Sequence, residues 1–473
     1  MPDQLPIAIT FVFFLGLFTV VGIYSAKEKE NTTTDYLLAS RKVNPWLTAL
    51  SAMATGQSGL LFIGQVGFAY TIGISAIWLT IGWAIGDYLA WWLVFKRLRI
   101  ISGEIESDTV SSFLGYNKLQ GSRLITLISA LITIAFLGSY AAAQLVAGSK
   151  ALNAVFGWNY QLGIIAAAIV VVIYCFSGGI RASIWTDAVQ AIVMIVSLII
   201  LFVVAVATCG GFNQLWQSLA EIDPSLTDLS PQDLPLGFVP FLIGWMVAGF
   251  GAVGQPHILV RAMAIASADK IGFVRNLKLV LAQITSICAI GVGLTARVLL
   301  PQLISESDPE LALPYLSLEL LPVILVGLML AGLFSATIST ADSQILSCSA
   351  ALSQDLFPQA ANSYKFAKLA TLTVTAIVLV IALTGDDSVF ALVIFAWSAL
   401  ASSLGPLLVV RVAEKPVSTL VGVLMMLGGM ATAWVWKLVL GWSNLIYEVF
   451  PGMVAGFLIY AIAQFFFSQP EAD

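Results

Sequence analysis

The chain has 473 residues, of which 59% are hydrophobic and only 10% charged, with a mean hydropathy of +0.96. Soluble domains are about half apolar and a quarter charged, so this balance excludes a soluble protein and describes a polytopic membrane protein whose essential partner is a lipid bilayer. The formal net charge of −5 says little about partners, because orientation in a bilayer follows the placement of Lys and Arg, and no nucleic-acid partner is expected.

In chain order, apolar runs near 20 residues predict thirteen membrane-spanning helices. They cover 5–26, 45–73, 75–95, 122–150, 160–177, 186–208 and 237–256, then 279–302, 318–350, 366–384, 389–412, 416–440 and 449–467. The first run lacks a basic leader and a small-residue cleavage site, so it reads as a retained helix and not a signal peptide. No polar block is long enough for a soluble domain, and the whole chain, 1–473, reads as one transmembrane domain. With the N-terminus outside and the C-terminus cytoplasmic, only Lys150, Arg297 and Lys437 of the 21 basic residues fall at the outer face. Lys29, Lys118, Arg261 and Lys278 are then among the residues of cytoplasmic connections. The long outer loop 209–236 holds Glu221, Asp223, Asp228 and Asp233 with no Lys or Arg. The positive-inside rule chooses that orientation.

The second span contains "SAMATGQSGLLFIG", residues 51–64, with glycines, hydroxyls and an amide where hydrocarbon is expected. Gly56 and Gly59 permit non-helical backbone. Unpaired backbone inside a bilayer persists only where protein or a water-filled cavity satisfies it. The seventh span has a counterpart in "GWMVAGFGAVGQPH", residues 244–257. Two such breaks in corresponding places point to a solute site between inverted repeats. The second and seventh spans lie five apart, so each opens a five-helix repeat and the odd number inverts one against the other. Close helix packing through small residues is the alternative.

The ninth span carries "SATISTADSQ", residues 335–344. Helical spacing sets the Ala336 carbonyl beside the hydroxyls of Ser339 and Thr340. With carbonyls freed near Ala54 and Gln57, five oxygens are available to a small hard cation. Neutral oxygens suit a monovalent ion better than a divalent one, and sodium is the expected coupling ion. The competing reading has both hydroxyls bonded back to their own helix. Four scattered cysteines, Cys175, Cys209, Cys288 and Cys348, read as small apolar fillers. His257 is the only histidine, which argues against a metal centre or a nucleophilic triad and hence against an enzyme; its plain reading is a hydrogen-bonded helix cap. Asp87, deep in the third span, is either functional or paired to a neighbouring helix. The Trp78, Trp83, Trp91 and Trp92 cluster reads as interfacial anchoring and packing.

Seven segments in order give the chain a resemblance to the sodium/solute symporter family, and within it to bacterial sodium/proline symporters. They are "DYLLASRKV" at 35–43, "LSAMATGQSG" at 50–59, "SGGIRASIWTDAVQ" at 177–190, "GQPHILVRAMA" at 254–264, "STADSQILSCSAALSQDLF" at 339–357, "AWSALASSLGP" at 396–406, and "VWK" with "YEVFPG" between 435 and 452. The resemblance implies an all-α membrane protein with a LeuT-type core of two inverted five-helix repeats at 45–412, an extra helix at 5–26 before it and two at 416–467 after it. It implies a sodium site at Ala54, Gln57, Ala336, Ser339 and Thr340. It implies solute contacts at Ser58, Gly59, Tyr140, Trp245 and Pro256. Asp187 matches a family aspartate with a gating role, and Asp342 is placed to make up negative charge. The proline transporters carry an aspartate where this chain has Gly56, and a tyrosine near the position of Ala252.

The expected function is therefore secondary active transport at the bacterial inner membrane, coupling inward sodium flow to uptake of proline or a related amino acid. A pantothenate or other monocarboxylate symporter is the alternative, suggested by "FGAVGQPH" and "GGIRAS". Proton coupling is a variant made thinkable by Gly56 and Asp342. A non-transporting sensor is the reading from another class.

Overall fold

The fold was examined in a computed structural model, which describes residues 4–25, 27, 30–116, 121–231, 234–303, 308–385 and 388–466. The N-terminal residues 1–3, residue 26, Lys29, Lys118, Asp233 and residues from 467 onward lie outside the described residues.

The described chain is helical, and ten helices are long and apolar enough to cross a membrane, eleven when a bent pair is counted as one span. That count differs from thirteen in specific places. The expected second and third spans follow one another within a single apolar stretch, Pro45–Glu104. The expected fifth and sixth are two helices that meet without a connecting loop at a kink at Gly179 (φ 59°, ψ −144°) within Tyr160–Thr208, and the first of them, Tyr160–Ile173, is shorter than the other spans. The eighth begins at Ile271 and not at 279, so Lys278 lies inside the helix Ile271–Leu299 and not in a connection. Arg261 likewise belongs to a helix, Pro256–Ala264, where it is fully buried. An apolar-run count sees only the hydrocarbon-facing window; helices continue past it where capping and buried partners allow.

Local chemistry starts these helices. The Asn44 side chain accepts from the Trp46 amide with Pro45 at the first helical position, which satisfies one orphan donor and pre-sets φ. Ser122, Asn159, Ser363, Ser388 and Ser418 cap in the same way. At another helix start, the Glu310 carboxylate accepts the amides of Val389 and Phe390 and also holds Lys150 at 2.7 Å.

Burial sorts the spans into core and rim. The most apolar windows of Val323–Leu356 and Val389–Val412 are 78% and 89% buried, whereas the first span and the last two are buried over only 22 to 28%. The buried pair forms the centre, and the terminal spans face lipid. The second and seventh spans run in opposite directions. A parallel bridge joins Val43, just before the second span, to Ile265, just after the seventh, through Val43 N–H to the Ala264 carbonyl (3.2 Å) and Ala266 N–H to the Val43 carbonyl (3.0 Å). The four cysteines are free and buried. Of the tryptophan cluster, Trp91 is buried and Trp92 exposed.

The third and seventh spans touch at the level of backbone. A Cβ on Gly86 would lie 1.8 Å from the Met246 carbonyl oxygen, and one on Gly249 would lie 2.0 Å from that of Trp83. Small residues are how membrane helices reach such contact. Gly86→Ala is therefore expected to cost about 1–3 kcal/mol through overpacking and to lower the thermal unfolding midpoint of purified protein. Gly16→Ala, with nothing within 4 Å of the added atom, serves as the control and is expected not to lower it; equal effects of the two would contradict this packing.

Candidate functional site

The break in the second span is sharper than the sequence suggests. The helix Pro45–Gly59 keeps helical dihedrals except at Ser58 (φ 53°, ψ −176°), and a π-helical turn, Leu60–Gln65, follows. Missing helical geometry is thus concentrated at one residue and does not extend back to Ala54. The Gly59 amide, freed by the kink, donates to the Gln144 side-chain oxygen at 2.7 Å, and the Leu60 amide donates to Ser58 Oγ at 3.1 Å. Glycine at 59 is required by space, since a Cβ there would come within 3.0 Å of Ala147, Gln144 and Thr337. The counterpart in the seventh span is a 3₁₀ turn, Gly251–Gly254, after which the chain bends 59° into Pro256–Ala264.

The ninth span faces the first of these breaks. Thr340 Oγ1 lies 3.1 Å from the carbonyl oxygen of Thr55 and 3.0 Å from that of Ala336. Ser339 Oγ lies 3.3 Å from the Ala336 carbonyl. The two hydroxyls bond back to their own helix, as the competing reading held, and Thr340 in addition reaches across to the second span. Thr55 returns the contact, its hydroxyl 3.3 Å from the Ser339 carbonyl. Of the expected sodium ligands, Ala336, Ser339 and Thr340 are brought together with Thr55 as their partner in the second span. The Gln57 side chain turns the other way and donates to the Ala282 carbonyl at 2.9 Å.

Below this contact sits a buried charge cluster. Asp187 Oδ2 accepts from Ser51 (2.6 Å) and pairs with Arg261 (3.0 Å), with both side chains fully buried. Arg261 also donates to Ser51 and to Ser343. Ser343 donates to Asp342 Oδ1 at 2.8 Å, and Ser183 does so at 3.0 Å. Asp187 is thus paired directly with the guanidinium, and Asp342 is linked to it through Ser343. Asp187 Oδ1 and Asp342 Oδ2 are buried with no hydrogen-bond partner among the described residues. Arg181, on the same helical stretch as Asp187, pairs with Asp35.

The expected solute residues divide. Tyr140 donates to Ser58 Oγ at 3.2 Å, beside Gly59. His257 packs edge-on against Tyr140 (5.7 Å), fully buried, with neither ring nitrogen hydrogen-bonded among the described residues, so the capping role expected for it is not what its side chain does. Trp245 lies elsewhere, stacked on Tyr447 at 5.1 Å and tilted against Trp83 at 6.4 Å. Pro256 lines a small space with Thr133, Val260 and Asp355. On the opposite side of the break, Lys278 pairs with Asp87 at 2.5 Å, both buried, and a cavity opens between Gly56, Gln57, Trp83 and this pair. Sequence reading missed Thr55, Ser51, Arg261 and Lys278. A charged residue four or more positions inside an otherwise helical run was the available signal for the last two.

The sequence model of the family described as "SSF: Sodium:solute symporter family" matches residues 36–432. The high-affinity proline transporter PutP of Bacillus subtilis (strain 168) is 31% identical over 93% of this chain and 93% of its own length. A sodium/proline symporter of Staphylococcus aureus (strain JH9) is 29% identical over 98% of this chain and 92% of its own. Among solved structures, a Na+-coupled sialic acid symporter in a substrate-bound outward-open state superposes with a TM-score of 0.82 at 17% identity, covering 98% of both chains. MHP1, a nucleobase-cation-symport-1 family transporter, gives 0.61 at 14% identity, covering 92% of this chain and 96% of its own. The fold is the LeuT-type arrangement of inverted repeats. A family match over most of the length, two broken spans running in opposite directions, and a ninth-span hydroxyl bonded to the first break together have one reading: the chain belongs to the sodium:solute symporter family.

Proposed function

We propose that this symporter carries proline or a related small amino acid inward with sodium, across a bacterial plasma membrane, with its N-terminus outside and its C-terminus cytoplasmic. Its inverted-repeat core runs over 45–412, with one helix at 5–26 preceding it and two at 416–467 following. The observation that carries it is the Thr340 hydroxyl against the Thr55 carbonyl at the kinked second span. Sodium is assigned to the oxygens of Ala336, Ser339 and Thr340 on the ninth span and to the second-span carbonyls around Ala54 to Gln57, Thr55 included. Ser58, Gly59 and Tyr140 line the solute side.

Asp187 and Asp342 supply charge to the design. With Arg261 paired to Asp187 and Asp342 linked to it only through Ser343, the cluster holds a carboxylate with no cation of its own, which supports sodium coupling in a chain that lacks an acid at Gly56. A monocarboxylate such as pantothenate is the second reading, favoured by the Lys278 ammonium beside Gly56. Sodium-dependent uptake by proteoliposomes, screened over amino acids and monocarboxylates, decides between them.

Removing a neutral ligand oxygen costs on the order of 1–3 kcal/mol. Thr340→Ala and Ser339→Ala are each expected to raise the sodium concentration for half-maximal uptake by about ten- to a hundred-fold. Unchanged sodium dependence in both variants would remove the assignment.

Sodium and solute meet one kinked segment, so each must tighten the other by the same factor. Solute titrations in sodium and in choline buffer at fixed pH should differ, and the sodium affinity measured with and without solute should change by an equal ratio. Identical solute affinity in the two buffers would favour proton coupling or a sensor.

The Arg261 cluster is expected to behave as one unit. Arg261→Gln leaves two carboxylates buried and uncompensated, at a cost of about 3–5 kcal/mol, and should lower the thermal midpoint sharply. Arg261→Gln with Asp187→Asn removes charge of both signs and should recover part of that loss; a double variant no more stable than the single would show that the two side chains are not coupled.

A further inference from the structure

The ninth span does not end where its sodium oxygens do. Past Ser339 and Thr340 the helix carries Ser343 and Ser347, four-residue steps that stay on one face. Ser347 Oγ donates to the Ser343 carbonyl at 2.9 Å. A π-helical turn, Ala351–Leu356, closes the span; such turns are rare and recur at functional sites. The turn brings Asp355 to a cavity of about 20 Å³ shared with Thr109, Ser111, Thr133, Ser347 and Pro256. From Thr340 to Asp355 the helix covers about 20 Å at its usual rise per residue.

Asp355 is 2% exposed, and its Oδ1 accepts from Thr109 at 2.8 Å. Its Oδ2 is buried with no hydrogen-bond partner among the described residues, and so is Thr133 Oγ1. A buried polar atom left in that state is costly unless something outside the chain meets it. Arg123 is within electrostatic reach of Asp355 but donates to the Leu356 carbonyl (3.3 Å). Asp108, also at the cavity, already accepts from Thr34 (2.8 Å) and faces Arg41 at 3.9 Å. Thr109 spends its hydroxyl hydrogen on Asp355 and Ser347 spends its own on Ser343, so both oxygens have only lone pairs left to offer. No ammonium, guanidinium or imidazole lines the space among the described residues. The cavity is therefore rich in acceptors and poor in donors, which suits a cation. One uncommitted carboxylate among hydroxyls suits a monovalent ion, because divalent ions gather more acid. The volume admits a single ion or a single water, a water needing roughly 10–15 Å³.

We infer that Asp355, Thr133 and Ser347 form a second monovalent-cation site, at the end of the ninth span assigned to the cytoplasm, where sodium stops after leaving Ser339 and Thr340. The inference rests on the reading of the chain as a sodium symporter and deepens it: the ion meets neutral oxygens on entry and a carboxylate on the way out. Ser343, held by Arg261, separates the two stations.

The test follows the thermal midpoint of purified full-length protein titrated with NaCl against choline chloride at constant ionic strength, without solute. Thr340→Ala weakens the first site, and a saturable sodium shift should remain in that variant. Adding Asp355→Asn should abolish the remaining shift. Adding Thr133→Val instead should raise the sodium concentration at its midpoint by about three- to ten-fold, the effect of losing one neutral oxygen. Asp355→Asn keeps an acceptor for Thr109 and discards a buried charge, so its midpoint in choline should equal or exceed that of its parent, which reports folding; if it does not fold, Thr133→Val decides. In proteoliposomes, Asp355→Asn should leave the external sodium requirement unchanged and raise the internal sodium that halves net uptake by about ten-fold, as loss of a charged ligand would. A remaining shift that neither Asp355→Asn nor Thr133→Val alters overturns the inference and leaves the cavity to water. No remaining shift in Thr340→Ala, or an unchanged internal requirement in Asp355→Asn, overturns it as well. A full sodium shift in Thr340→Ala that disappears with Asp355→Asn overturns only the assignment at Thr340 and supports the site at Asp355, whereas no sodium shift in the wild type removes the sodium reading and this inference with it.

Discussion

A backbone amide released inside a bilayer has no water to turn to, and the rest of this structure is organised around satisfying one such amide. Ser58 leaves the helix, the Gly59 N–H is freed, and Gln144 on the fourth span accepts it at 2.7 Å. The side chain that makes this bond requires a close approach, hence glycine at 59 and alanine at 147. The carbonyl side of the same kink is met by Thr340 from the ninth span. One interruption thereby ties three helices at mid-membrane and leaves polar atoms on two faces of a single segment.

The charged groups follow a related logic. Asp187 with Arg261 and Asp87 with Lys278 are each held between different spans, and Lys150 on the fourth span is held by Asp308 and Glu310 in the connection before the ninth. In a low-dielectric setting, pairing is the condition for burying the first two pairs at all. None of these pairs lies within one helix, so each constrains the relative position of separate elements. Ion pairs that link separate elements can hold one arrangement of a transporter and release another, provided replacement partners exist in the second state. Serines 51, 183 and 343, clustered around Asp187 and Asp342, are neutral groups suited to that exchange.

Much of this was legible in the residues. Glycine density marked both broken spans, joined by hydroxyls in the second, because a hydrocarbon-facing helix has little use for a cluster of either. The Ser339–Thr340 spacing marked the ninth-span face, because helical periodicity is a local rule. What was not legible depended on contacts between distant parts of the chain. Ala54 and Thr55 are adjacent, and only the packed ninth span decides which carbonyl Thr340 meets. Lys278 and Arg261 were read as loop residues, since a charge near the end of an apolar run looks the same whether the helix stops there or continues past it to a buried partner. The kink at Gly179, where two expected spans meet without a loop, rests on one positive φ in a run that otherwise suits a helix.

The bridge between Val43 and Ile265 is made by main-chain atoms alone. Proline at 43 or 266 would delete a donor, and Val43 and Ile265 are themselves buried in the core and must stay apolar. Chain length is not free either: an added or lost residue would shift the register and separate the start of one broken helix from the end of the other. Relatives diverging at this point should accordingly keep apolar residues at these two places and agree in spacing, so that what is inherited there is a length.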